Sequence, residues 1–146
     1  MVLFAIARTA VPPYLAEYRP DLHFVLLRWL RESTFAETQE SFAAALALAR
    51  QHDCTRWLMD VRQRGPIAVD VASWLVKDFL PVAVGAFSPR VLRLAVLSTP
   101  TRIRQQYVDA TVADRMAALF APERPYQSHL FAAEDAAMAW LLAPAA

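Results

Sequence analysis

The spacing of apolar and polar positions changes several times along the chain, and each change marks an element. Tyr14-Leu-Ala-Glu-Tyr18 alternates, Arg19-Pro20-Asp21 has turn-forming chemistry, and Leu22 to Leu30 is an apolar run, which together predict a β-hairpin. Thr34 and Glu37 have the spacing of a capping box. Phe35, Phe42, Leu46 and Ala49 then recur at helical intervals to about His52. Arg56 to Arg62 is short, apolar at its centre and bounded by Asp53-Cys54-Thr55 and Gly65-Pro66, as a buried strand should be. Asp70 is placed to cap a helix from Val71 to Leu80, with Ala72, Leu75, Val76 and Phe79 on one side. Pro81 should bend or end it, leaving 82–90 irregular.

Val91 to Thr99 is the clearest central strand, stopped by Pro100, with Thr99 or Thr101 available to start a helical region over 101–120 whose second piece is Ala110 to Phe120. Pro122 and Pro125 break the chain before a last strand, Tyr126 to Phe131, and a closing helix, Glu134 to Leu142. The order implies an α/β fold: a single mixed β-sheet with an N-terminal antiparallel hairpin and helical crossovers that make the later strands parallel. Neither a repeat nor a low-complexity linker divides the chain, so 1–146 reads as one domain with its core over about 14–142. Hydrophobic residues at 57% and only two glycines fit a packed globule.

Charge removes two partner classes. Fifteen basic and fourteen acidic residues give a net charge of +1, with no field to gather nucleic acid or an anionic membrane surface. Lys77 is the single lysine among the basic residues, a skew that fits either arginine-based anion recognition or a GC-rich genome. The lone cysteine, Cys54, has no disulfide partner and no paired-Cys zinc spacing, which suits a reducing bacterial cytoplasm. Met1 to Arg8 lacks the basic start and long apolar stretch of a secretion signal, and no uncharged run reaches bilayer length.

Asp60, Arg62, Arg64 and Gly65 leave the carboxyl end of a predicted parallel strand, the edge where open α/β sheets place ligands. The loop after the next strand would bring Thr101 and Arg102 alongside, combining guanidinium groups with helix-start amides suited to an anion. The competing structural role is an Asp60–Arg pair that merely fixes this loop. His23, His52 and His129 lack metal-ligand spacing, and Cys54 does not share a helix face with His52, so it reads as packing. Gly65 and Gly85 lie too far apart for a phosphate-binding loop, and Glu37, Glu40, Asp109 and Asp114 read as solvated helix-surface charge. No catalytic residue, metal or cofactor is expected. Of Trp29, Trp57, Trp74 and Trp140, most belong in a core. Trp74 and Phe79 are the expected exceptions, because their helix runs into the apolar stretch Leu80 to Phe87, which should cover a ligand or a partner subunit.

In this order of elements the chain resembles the SpoIIAA-like family of the STAS superfamily from about Tyr14 to Leu142. The pieces that carry the resemblance are Trp57-Leu-Met-Asp-Val-Arg-Gln-Arg-Gly65, Trp74 to Pro81, and Phe131-Ala-Ala-Glu-Asp-Ala-Ala-Met-Ala-Trp-Leu141. The better-known STAS proteins carry a phosphorylatable Ser at the start of the helix after the Asp-ending strand. Here Val61-Arg-Gln-Arg-Gly-Pro66 follows Asp60 and the nearest hydroxyl is Ser73, inside the predicted helix, so the phosphoswitch carries over poorly. The related CRAL-TRIO lipid carriers have an apolar ligand cavity. The resemblance implies a non-enzymatic regulatory module that binds a regulatory protein or itself as a homodimer, through the helix near Trp74 and the Arg62/Arg64 loop. The alternative is a carrier or sensor of a small amphipathic anion, which would require a ligand-sized cavity beside Asp60 and Arg62.

Overall fold

Two strands joined by a tight turn open the computed structural model, which describes residues 11–106 and 108–144. The opening segment whose features argue against a secretion signal lies outside the described residues. Strand β1 (Tyr14–Arg19) pairs antiparallel with β2 (Phe24–Trp29), Tyr14 opposite Trp29 and Arg19 opposite Phe24. Helix α1 (Phe35–Gln51) follows, with the full capping box at Thr34 and Glu37. Arg31 and the Thr34 amide both bond the Glu37 carboxyl and hold it down at about 2. The helix ends in a Schellman turn: Cys54 N–H donates to the Ala49 carbonyl at 2.8 Å and Asp53 N–H to that of Arg50 at 3.3 Å. Asp53 takes the left-handed conformation usually left to glycine there, with φ 53°.

Strands β3 (Arg56–Asp60), β4 (Arg93–Leu97) and β5 (Gln127–Phe131) then add in parallel, so the sheet order β1-β2-β3-β4-β5 is the chain order. Right-handed crossovers that always advance in one direction put every intervening helix on the same face. The buried side chains agree: Val25, Leu27, Trp29, Trp57, Met59, Leu94 and Val96 pack with Phe42, Ala45, Leu75, Leu80 and Leu119 in one core. The other face, Phe24, Leu26, Leu58, Ala95 and Leu97, packs on Ala137 and Leu141 of the last helix, α6 (Glu134–Leu142).

The segment after β3 departs from expectation. Helix α2 (Val69–Trp74) starts two residues early, with Ala68 rather than Asp70 at the cap position. It passes through a π turn (Leu75–Phe79) into α3 (Leu80–Phe87), so 82–87 is helical and not irregular. The π turn explains how Pro81 is tolerated. Leu80 N–H reaches back to the Leu75 carbonyl, the helix is already re-registered there, and Pro81 falls in the first turn of α3, where a missing donor costs little. Thr99 caps α4 (Pro100–Gln105), accepting Arg102 N–H at 3.1 Å, and Asp109 caps α5 (Ala110–Phe120). No helix among the described residues is long and apolar enough to cross a membrane.

Arg93 holds α6 in place from beneath. On a strand buried at every position, its Nη1 donates to the Ala143 carbonyl at 2.7 Å and its Nη2 to that of Trp140 at 2.8 Å, while the guanidinium lies 4.4 Å from the Trp140 ring centroid. A cation at the carboxyl end of a helix satisfies its last carbonyls and complements its dipole. Arg93→Met, which keeps the length and loses the donors, is expected to destabilise the protein by about 1.5–3 kcal/mol in urea unfolding. Amide exchange should quicken first in α6, and unchanged protection there would contradict this account.

Candidate functional site

The period-two alternation of a strand decides which side of the sheet each residue at its end serves. At the end of β3, Met59 faces the crossover helices and Asp60 faces α6. Asp60, its side chain 4% exposed, accepts Arg28 Nε at 2.9 Å and Arg62 through the backbone N–H at 3.1 Å, Nε at 3.0 Å and Nη2 at 2.7 Å. Glu134, at the start of α6, stands 3.5 Å from Arg28 and 3.6 Å from Arg62. Burial pushes the Asp60 carboxyl up, and the hydrogen bonds from Arg62 and Arg28 outweigh it, leaving it below its ordinary value. Together they form a clasp that joins β2, β3 and the start of α6.

Arg64 and Gly65 turn to the opposite side. There they line a partly open cavity of about 480 Å³ between the sheet and α5. Its floor is Met59, Leu94, Val96 and Leu130; Phe42, Val71, Leu75 and Leu80 form one wall, and Val112, Met116, Leu119 and Phe120 the other. Its two cations, Arg64 and Arg102, lie on the loops leaving β3 and β4. Arg64 Nη2 donates to Thr38 Oγ1 at 3.0 Å and Nε to Glu32 Oε1 at 3.3 Å, and its guanidinium lies 5.2 Å from the Trp29 ring centroid. Arg102 donates to the Arg64 carbonyl. Trp29 also borders the cavity; it is 1% exposed, and its indole N–H has no acceptor. A second space of about 420 Å³ flanks α5 toward β5, so this helix buries little beyond Leu119.

The residues grouped from the sequence therefore divide. Arg64, Gly65 and Arg102 come together at the cavity, whereas Asp60 and Arg62 lie across the sheet because strand parity sends them there. Thr101 is exposed on α4 outside the lining. Trp74 is half-buried against Phe42 and Phe79, with ring centroids at 5.8 and 5.3 Å, and does not line this cavity. Phe79 is a core residue, and from the stretch expected to cover a ligand only Leu80 reaches the cavity. Ser73 lies within α2, so no hydroxyl opens that helix. Sequence reasoning missed Glu32, Thr38 and Trp29; the apolar spacing of Val112, Met116 and Leu119 was the available signal for the cavity wall. Among the described residues, no three His, Cys, Asp or Glu side chains gather as a metal site would require.

No family model matches the chain, and no curated protein sequence matches it. A solved structure does: an uncharacterized protein from the DUF3478 family with a SpoIIAA-like fold, from Shewanella loihica PV-4. It is 16% identical, with a TM-score of 0.52, and the match covers 88% of this chain and 91% of that one. The chain has a SpoIIAA-like fold. At that identity the likeness speaks for the fold, and the function of this SpoIIAA-like sheet has to be argued from its own side chains.

The clasp yields a test of its own. Asp60→Asn is expected to cost about 1.5–3 kcal/mol at pH 7, since charge-assisted bonds are lost at a buried site. Because the folded carboxyl titrates below its ordinary value, near pH 4, the stabilisation is present above that range and fades as pH falls through the lowered value. Urea unfolding should therefore show a gap between wild type and variant at pH 7 that closes in acid. Equal stability at pH 7 would dismiss the clasp.

Proposed function

We propose that the protein is a carrier or sensor of a small amphipathic anion, with an apolar tail between the sheet and α5 and a charged head at Arg64 and Arg102. One observation carries this reading: an apolar cavity of about 480 Å³ whose two cations sit together at the carboxyl ends of β3 and β4. The volume falls in the roughly 300–1,000 Å³ range of small-molecule sites. Its lining is mostly apolar side chains between the sheet and α5, surface that an apolar tail would cover. Such a space is consistent with one that takes an occupant or closes by movement of α5.

The site reads as binding rather than catalytic. Beside Arg64 and Arg102 the polar members of its lining are amides, hydroxyls and Asp109, and the lining holds no imidazole or thiol; His129, next to Ser128 in the chain, borders the second space instead. Cys54, whose thiol donates to the His23 and Arg56 carbonyls, precedes β3 at the other end of the sheet, and as a buried free thiol it suits a cytoplasmic setting. Recognition of a regulatory protein or a second copy through Trp74 and the Arg62/Arg64 loop has less behind it. Trp74 is spent on Phe42 and Phe79, and Arg62 on Asp60. A regulatory role would then belong to the occupied state, read by a partner.

Calorimetric titration with octanoate and decanoate tests the proposal. Both should bind, decanoate more tightly, and raise the melting temperature. Arg102→Ala should weaken decanoate about tenfold, the equivalent of 1.4 kcal/mol, and Met116→Trp, which fills the cavity, should abolish binding. No heat with wild type, and a bare mass for the host-purified protein in native mass spectrometry, would sink the reading.

A further inference from the structure

Two donors at the cationic end of the cavity, on Arg64 and Gly65, already bond a carboxylate, that of Glu32, which comes from the loop between β2 and α1 and lies outside the lining. Its Oε2 accepts the Gly65 N–H at 2.5 Å and its Oε1 accepts Arg64 Nε at 3.3 Å, so each oxygen meets its own donor. Arg102 stands at the same place. A Cβ built on Gly65 would lie 3.0 Å from Glu32 Oε2 and 3.8 Å from Arg102 Nη1. Gly65 has no positive φ, so a side chain here would meet no backbone strain, only the Glu32 carboxylate, which would have to give way. Among the described residues Arg102 has no ion-pair partner; its guanidinium donates to the Arg64 carbonyl.

The two sides of this contact differ in how firmly they are held. The Arg64 side chain is 15% exposed and further fixed by Thr38 and Trp29, whereas that of Glu32 is 66% exposed and makes no other side-chain bond. An ion pair with one such partner is weak and readily exchanged, and the donors on the partly exposed Arg64–Gly65 loop then turn to solvent or to another acceptor. Resting on the carrier reading, we propose that the Gly65 amide, Arg64 and Arg102 form a two-oxygen carboxylate seat, and that Glu32 is its resident placeholder. An incoming carboxylic acid with an apolar tail displaces Glu32, so the donors are satisfied before and after. The ligand class is accordingly a monocarboxylate, whose planar two-oxygen head matches the group it replaces.

The full chain, as wild type, Glu32→Ala and Glu32→Gln, is titrated calorimetrically with decanoate and with 1-decanol, after far-UV circular dichroism shows all three folded. Decanoate should bind about tenfold more tightly to Glu32→Ala, and more tightly also to Glu32→Gln, which keeps an oxygen for the amide and loses the charge. The alcohol, which has no carboxylate to trade, should be indifferent to both changes. In wild type, the Gly65 amide resonance should move with decanoate and stay with decanol. Decanoate that binds wild type but gains nothing in either variant, with Gly65 unmoved, overturns the placeholder and leaves the carrier reading standing. Failure of both probes on all three proteins removes both.

Discussion

Each parallel strand of this sheet is laid beside the one before it, and that geometric constraint governs where the rest of the chain goes. A right-handed crossover repeated in one direction stacks α1, the α2–α3 helix and α4–α5 on one face. The first helix of this series, α1, is seated over both β1 and β2. The last, α5, reaches the sheet over β5, an edge strand with nothing beyond it, and buries only Leu119 fully. The space that remains between α5 and the floor of β3, β4 and β5 is the cavity. The hydrophobic surplus of the chain is thus partly surface that the protein itself leaves uncovered.

Strand parity then sorts the charges. Two residues that follow each other at the end of β3 serve opposite sides of the sheet, and the electrostatics of the two sides differ in kind. On the α6 side Asp60 is enclosed, bonded from two arginines and backed by Glu134, so its charge belongs to the stability of the fold. On the cavity side the only carboxylate bonded to the arginine pair, among the described residues, is the solvent-facing Glu32, a pair that contributes little to stability.

Local chemistry was legible in the sequence wherever it acts over a few residues. The capping box at Thr34 and Glu37 and the Thr99 cap follow from side chains next to the backbone they serve. Pro81 misled because its effect depends on the preceding turn: a π turn absorbs the missing donor, and nothing in Leu75 to Phe79 announces one. Asp60, Arg62, Arg64 and Arg102 were found as a neighbourhood but not as two sites, since the division depends on the register of β3 and on the path of the loop after it. Glu32 was invisible because its partners lie 32 and 33 residues away. A cavity is harder still, being a property of what long-range packing fails to fill.

The arginine skew takes on meaning at particular positions. Whatever set the overall usage, Arg93 bonds two carbonyls and faces a ring, and Arg64 bonds a hydroxyl and a carboxylate while covering another ring. A lysine ammonium is one point charge and cannot span such partners with fixed, planar donors. The two residues work on opposite faces: Arg93 anchors α6, which the clasp also holds at its other end, and Arg64 supports the cavity under α5. The charged contacts that anchor α6 therefore lie on the face opposite the cavity. None of the side chains in the clasp or in the Arg93 anchor borders the space under α5, so what holds α6 does not depend on whether that space is filled.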